Sequence, residues 1–343
     1  MIGWAMKLIF CPCLLWVIAV AIVVRANECA LNSECIPIAD CPFIRDNFNL
    51  IKRKPYCNLK GHGANVCCRK SSQNYTQPKY DGLPVARECK SYDSLPSLEK
   101  PLREGCHYES NIVGRVRAEP KEFPFVAMIY RKVGRKYIKF CVGTLISKMY
   151  VLTSADCFVY GENPNLVRLG ELDYGTGTDD ALTQDIEIKN IIPHHRYSAT
   201  ELLVYHDIAL IELAKEAIFN DYVRPACLSL ADDNDFQQFV SVDWPFSSHL
   251  HKMNLNRLDY DKCFEIFWRD RHEEGLNNRT KMCVIGACDV HDGSPLFVRH
   301  PEFPCQFILV GIKSFGYTDC GNKPTVYTRV KLYIDWIQRI VWN

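Results

Sequence analysis

The side chains best suited to chemistry in this chain sit in a few short stretches. "CDVHDGSPLFV", Cys288 to Val298, brings an imidazole, a carboxylate and a hydroxyl together at His291, Asp292 and Ser294. Asp156 lies in "TSADC", Asp207 follows His206 in "HDIALIEL", and His194 and His195 are adjacent in "IIPHHRY". Two chemistries are open to such groups. A serine activated by a histidine, with a buried aspartate orienting the histidine, attacks acyl carbons. Aspartates brought close together instead share a proton or hold a cation.

The elements that must position these residues are short. Beyond Ile112, runs such as "FPFVAMIY", "KFCVGTLIS", "YVLTSA", "LVRLG", "DIALIEL", "FILVGIKSFG" and "TVYTRV" alternate with Gly, Pro, Asn and Asp. Apolar and β-branched runs punctuated in this way predict an all-β barrel or sandwich. One helical period closes the chain, with Leu332, Ile334, Trp336, Ile337, Ile340 and Val341 on a broad apolar face. His206 should then share a strand with Asp207 and point away from it. His194 and His195 read as solvated loop residues.

Upstream, the composition changes twice. Residues 70–111 are rich in Ser, Gln, Asn and Pro without a hydrophobic period, and read as an extended linker carrying Cys89 and Cys106. Residues 27–69 hold Cys29, Cys35, Cys41, Cys57, Cys67 and Cys68. So short a segment cannot bury enough apolar surface to fold alone, so disulfide staples are expected. Spacing alone does not choose among their pairings. A zinc site is the competing reading, and it fails because paired CxxC or HxxxH ligands are missing.

Compartment follows from the same residues. With 18 cysteines in 343 residues, the chain is expected in an oxidising environment. Lys7, the apolar run from Leu8 to Val24 and the small residues around Val24-Arg25-Ala26 read as a signal peptide over residues 1–26. An uncleaved signal anchor is the alternative. Cleavage after Ala26 would remove Cys11 and Cys13 and leave an even number of cysteines. The protein is expected to be secreted and extracellular, free of the membrane after cleavage. Asn74 and Asn278 head sequons that suit N-glycosylation. A net charge of +1 gives no global field for nucleic acid.

The order of motifs identifies a resemblance. "IVGR" at 112, "CVGTLIS" at 141, "VLTSADC" at 151, "HDIALIEL" at 206, "RPACL" at 224, "CDVHDGSPL" at 288, "VGIKSFG" at 310 and "PTVYTRVKLYIDWI" at 324 follow the trypsin/chymotrypsin-like serine proteases in sequence. Residues 29–68 resemble the clip domain that precedes many arthropod haemolymph proteases. The resemblance implies two six-stranded β-barrels with a C-terminal helix over residues 112–343. It also implies disulfides Cys29–Cys67, Cys35–Cys57, Cys41–Cys68, Cys141–Cys157, Cys263–Cys283 and Cys288–Cys320. Cys89, Cys106, Cys227 and Cys305 then form two unassigned bridges, one of them joining linker to barrel.

Carried over residue by residue, the resemblance implies that the active site has been dismantled. Asp156 stands where the family has its histidine and Asp292 where it has its serine, while the orienting aspartate remains as Asp207. Ser294 falls on a glycine of the family pattern. Val290 replaces the oxyanion-hole glycine, and losing one such donor costs about 3 kcal/mol. Gly286 leaves the base of the specificity pocket without an acid, and Thr325 should partly fill it. His291 replaces the aspartate that receives the new α-amino group on activation, and a buried ammonium without a carboxylate is disfavoured. Asn111 precedes Ile112, so a trypsin-like activator has no basic residue to cut after there; Arg103 and Arg115 are the nearer candidates. In the family geometry Asp156, Asp207 and Asp292 would converge. Their preferred reading is a decayed site whose carboxylates face water, with no metal.

The expected function is that of a secreted, non-catalytic protease homologue without cofactor. It would act as cofactor or regulator in an immune cascade, in prophenoloxidase activation or Toll-type signalling. The expected partners are other haemolymph proteases, protease homologues or prophenoloxidase. One alternative is microbial-surface recognition, to which Lys52, Arg53, Lys54, Lys60, Arg69 and Lys70 lend some charge. Another is a hydrolase built on Asp156, Asp207 and Asp292.

Overall fold

The computed structural model describes residues 33–37, 65–69, 83–93, 95 and 114–342, excepting 160–162, 179–180, 200–203, 231–235, 246, 272–278, 287–289, 301–305 and 317–322. The leader, Asn74, Asn111, Asn278 and most of the six-cysteine segment lie outside these residues. Two compact units divide the chain at Pro78.

In the first unit, β1 (Ser33–Pro37) pairs antiparallel with β2 (Asn65–Arg69). The register sets Cys35 opposite Cys67 and Glu34 opposite Cys68.

The second unit begins with helix α1 (Pro84–Asp93) inside the segment expected to be an extended linker. Pro84 occupies the first helical position, where its missing N–H costs nothing. Val85, Ala86 and Tyr92 are buried, and the Tyr92 hydroxyl donates to the Ile146 carbonyl at 2.8 Å. Tertiary docking, rather than an apolar stripe legible in sequence, makes this helix.

Strands β3 (Arg115–Arg117), β4 (Val126–Val133), β5 (Lys136–Leu145), β6 (Tyr150–Thr153), β7 (Leu166–Leu169), β8 (Gln184–Pro193), β9 (Ser198–Ala199), β10 (Val204–Tyr205) and β11 (Ala209–Leu213) follow. Six of them close a barrel in the order β11-β6-β5-β4-β7-β8. Then come β12 (Cys227–Leu228), β13 (Gln238–Asp243), β14 (His251–Arg257), helix α2 (Tyr260–Arg271), β15 (Lys281–Ile285), β16 (Pro295–Arg299), β17 (Phe307–Gly316) and β18 (Thr325–Arg329). These form the order β17-β16-β13-β14-β15-β18, closed by pairing of β17 with β18, with β12 and β3 added at the side. The molecule is therefore the two-barrel, all-β architecture expected, with helix α3 (Ile334–Val341) at its C-terminus.

Each barrel has its own apolar interior. Ile129, Leu145, Val167, Ile186 and Ile211 fill the first; Phe239, Leu255, Val284, Leu296 and Tyr327 fill the second. A third cluster joins Val85, Val142, Trp244, Phe297, Val330 and Ile337. Fully burying one such side chain contributes about 2 kcal/mol, and this shared cluster fixes the barrels against α1 and α3. Ile334 and Ile337 are buried as the helical period requires, but Leu332 is exposed. It belongs to the 3₁₀ turn Val330–Tyr333, whose tighter pitch rotates it off the apolar face.

Three disulfides form among the described residues. Cys141–Cys157 ties β5 to the short 3₁₀ turn Asp156–Phe158, Cys263–Cys283 ties α2 to β15, and Cys89–Cys227 ties α1 to β12. The bridges expected for Cys29–Cys67, Cys35–Cys57, Cys41–Cys68 and Cys288–Cys320, and any formed by Cys106 and Cys305, lie outside the described residues.

Candidate functional site

Asp207 sits in the connection between β10 and β11, wholly buried. Its Oδ1 accepts from Ser154 Oγ at 2.6 Å and from the backbone N–H of Asp156 at 2.9 Å; its Oδ2 accepts from Ser314 Oγ. Among these described bonds none comes from an imidazole. Asp156, held by the Cys141–Cys157 bridge at the start of its 3₁₀ turn, turns its carboxylate to Tyr197, whose hydroxyl donates to Oδ1 at 3.0 Å. Burial, followed by the charges of Asp207 and Asp292, raises the Asp156 carboxyl above the usual range, against the Tyr197 hydrogen bond.

Asp292 lies in the turn before β16. The turn is tightly seated: Val142 N–H donates to the Asp292 carbonyl at 3.0 Å, and the following Gly293 has φ +82°. A Cβ on Gly293 would stand 2.0 Å from the Val142 carbonyl oxygen, so only glycine fits. The Asp292 carboxylate is ion-paired with Lys313 on β17, whose side chain is 8% exposed.

Behind Asp207 lies a second lysine. Lys281, the first residue of β15, is 2% exposed and donates to Ser314 Oγ at 2.8 Å and Thr328 Oγ1 at 3.0 Å. Burial lowers its ammonium to about 8, opposed by the charges of Asp207 and then Asp156. Ser314 thus bridges Lys281 to Asp207 with one hydroxyl. The three aspartates are gathered into one neighbourhood, as the family geometry implies, but they do not all face water. Asp207 is sealed and bridged to Lys281, and Asp292 is salt-bridged to Lys313. A low-dielectric site cannot hold several bare carboxylates, so charge balance is met by lysines. No metal-holding cluster of His, Cys, Asp and Glu occurs among the described residues.

Sequence reasoning missed both lysines. Lys281 precedes "MCVI" and Lys313 interrupts "FILVGIKSFG", each a charge inside an apolar strand run. That placement was the available signal, since Lys is almost never buried without a partner.

His291 lies elsewhere. Its Nδ1 is 3.0 Å from Asp243 Oδ1 and its backbone N–H also donates to Asp243. Asp243, the last residue of β13, is fully buried and also receives Ser294 Oγ at 2.7 Å, with Lys139 Nζ at 3.7 Å. Burial alone would push the Asp243 carboxyl up; the hydrogen bond and charge of His291, then Lys139 and Ser294, outweigh it and hold it below the usual range. Ser294 is buried and committed to this carboxylate, with no histidine bonded to its hydroxyl among the described residues.

His206 and His194 depart from expectation. His206 lies in a bend with φ +46°, not in a strand. Its ring stacks on His194 at 5.2 Å and its Nδ1 is 3.1 Å from the Tyr333 hydroxyl, contacts that hold the left-handed backbone. His194 is buried rather than solvated, packed against Tyr333 and Trp336, and burial, then His195 and His206, lower it to about 4. His195 is exposed. Among the described contacts neither His194 nor His206 meets Asp207 or Asp292; they pack on each other, on α3 and on its preceding turn.

Val290 is 5% exposed, its side chain in the second barrel's apolar cluster. Gly286 has φ +102°, and Thr325 is fully buried between Val284 and Gly316. The segments 287–289 and 317–322 beside them lie outside the described residues.

Comparison with known proteins agrees with this architecture. The family profile described as "Trypsin" matches residues 112–337. The chain is 32% identical to "Serine protease snk" of Drosophila melanogaster, over 93% of this chain and 77% of that protein. It is 30% identical to "Phenoloxidase-activating factor 1" of Holotrichia diomphalia, over 90% of each. It is 26% identical to "CLIP domain-containing serine protease HP8" of Bombyx mori, over 96% of this chain and 97% of that one.

Proposed function

The chain belongs to the trypsin family, and from that premise we propose that it is a non-catalytic member: a secreted cofactor or regulator of an extracellular immune protease cascade. One observation carries this reading. The buried Asp207 accepts from Ser154, Ser314 and the Asp156 backbone N–H, and no imidazole meets it among the described bonds. Acyl transfer in this fold needs a general base together with an exposed nucleophile. Here Asp292 fills the nucleophile's position and is salt-bridged to Lys313, while Ser294, Ser154 and Ser314 are buried.

The carboxylates support no hydrolase in their place. Asp156 and Asp292 are the accessible pair, and Lys313 holds Asp292 as a carboxylate partner rather than as a free acid or base. A disulfide-tied scaffold that keeps its cores while its reactive groups are consumed by internal contacts suits binding. The names "Phenoloxidase-activating factor 1" and "Melanization protease 1" among the relatives point the same way.

The test is direct. Purified full-length protein should take up no fluorophosphonate and cleave nothing in a broad peptide library. Added to plasma in which phenoloxidase is being activated, it should change the rate of activation severalfold. Labelling of any serine would overturn the non-catalytic reading, and an unchanged rate at saturating protein would overturn the regulatory one.

A further inference from the structure

Hairpin β4–β5 stands out from the rest of the surface. Its tip and flanks read Arg131-Lys132-Val133-Gly134-Arg135-Lys136-Tyr137-Ile138-Lys139, with basic residues at five positions and no acid. Residues 132–138 are all exposed, including Val133 at 50%, Tyr137 at 41% and Ile138 at 45%.

The two long edges of this hairpin are unlike. Lys132 pairs with Tyr137 across it. On the β4 side, Lys132 is closed off: its N–H donates to Asn165 Oδ1 at 2.8 Å and its carbonyl accepts from Asn165 Nδ2 at 3.1 Å. On the β5 side, β6 pairs only with Thr144 and Leu145, and among the described bonds nothing meets the backbone of Tyr137. The outward N–H and C=O of β5 near Tyr137 are therefore an open strand edge.

The edge is also braced at Tyr137. Arg168 lies over the Tyr130 and Tyr137 rings at 5.6 and 5.1 Å, and is itself held by both oxygens of Asp185. A preorganised edge loses little freedom on binding. We propose that the β5 edge, residues 136–139, is a docking strand for an acidic, extended segment of a partner protein, which adds to it as a further antiparallel strand.

Charge selects that occupant. Lysines on an edge ordinarily prevent self-association, and here they repel a second copy of the same hairpin. They attract an acidic strand, and Tyr137 and Ile138 give it apolar contacts that a purely repulsive edge would not need. Main-chain bonds to the edge supply affinity and the alternate side chains supply specificity. The inference rests on the regulatory reading and names its contact surface.

The probe is a twelve-residue peptide alternating Glu and Val, measured against the full chain by fluorescence anisotropy. Controls are a peptide of equal charge interrupted by proline at every third residue and a heparin hexasaccharide. The alternating peptide should bind at least tenfold tighter than the interrupted one. Tyr137→Pro, which removes the outward N–H from a non-hydrogen-bonded position, and Arg135→Glu with Lys136→Glu should each abolish this preference. Circular dichroism and the unfolding midpoint verify that these variants fold, and amide exchange in the wild-type chain should slow at 137–139 with peptide bound. Equal binding of all three probes, a preference that survives Tyr137→Pro, or no binding at all would each overturn the proposal. The assay contains no cascade component, so its failure removes the surface and leaves the regulatory reading. An inert wild-type chain in plasma removes that reading and leaves the peptide result standing.

Discussion

At the scale of the residue, the site is decided by who neutralises whom. Asp207 accepts from two hydroxyls and one peptide N–H, and its charge is balanced through Ser314 by Lys281. Removing one partner of a buried pair leaves an uncompensated charge and costs about 3 kcal/mol, whereas replacing both is nearly neutral. Lys281→Met should therefore lower the unfolding free energy by about 3 kcal/mol at pH 7, and adding Asp207→Asn should recover most of it. Urea titrations of the four proteins of the cycle measure this; additive losses would show that the two groups do not interact. The three aspartates were legible as residues in motifs. Their neutralisation was not, because Lys281 and Lys313 come from strands distant in sequence.

At the scale of the element, α1 and its bridge hold the segment before the barrels. Cys89–Cys227 closes a loop with a sequence separation of 138, and bridges over loops of that length contribute up to about 4 kcal/mol through the unfolded chain. Replacing both cysteines by serine should lower stability by roughly 2–4 kcal/mol, and limited proteolysis should then cut within 79–111 well before the barrels. A digestion pattern identical to wild type would mean that α1 stays docked through Val85 and Tyr92 alone. The strands were legible because their runs repeat and are punctuated. α1 was not: Val85, Cys89 and Tyr92 share one face, but so short a stripe in a polar segment does not stand out, and it is stabilised by a surface that exists only once the barrels have formed. His206 was misplaced for a similar reason, since its left-handed bend is held by His194 and Tyr333 from other elements.

At the scale of the whole molecule, His194 couples pH to folding. It is 8% exposed between β8 and α3, faced by His206, Tyr333 and Trp336 and by the charges of His195 and Arg196. Its folded value of about 4 lies below the ordinary 6.5, so the unfolded chain takes the proton first. Its contribution is therefore full above pH 6.5 and fades as pH falls towards 4, a loss of roughly 2 kcal/mol by pH 5. The unfolding free energy of His194→Phe should fall less steeply over that window, and an unchanged pH profile would exclude His194 as the group responsible. The sequence by itself determined an all-β domain, and through the order of its motifs the resemblance that implies two barrels and places the three aspartates. These are written locally, the first in short apolar runs with turn residues between them, the second in motifs of a few neighbours. Only the tertiary structure decided that Asp292 meets Lys313, that Asp207 is bridged to Lys281 and that His291 turns away to Asp243. Charge balance in a buried site depends on distances across strands far apart in the chain, and no local pattern encodes those distances.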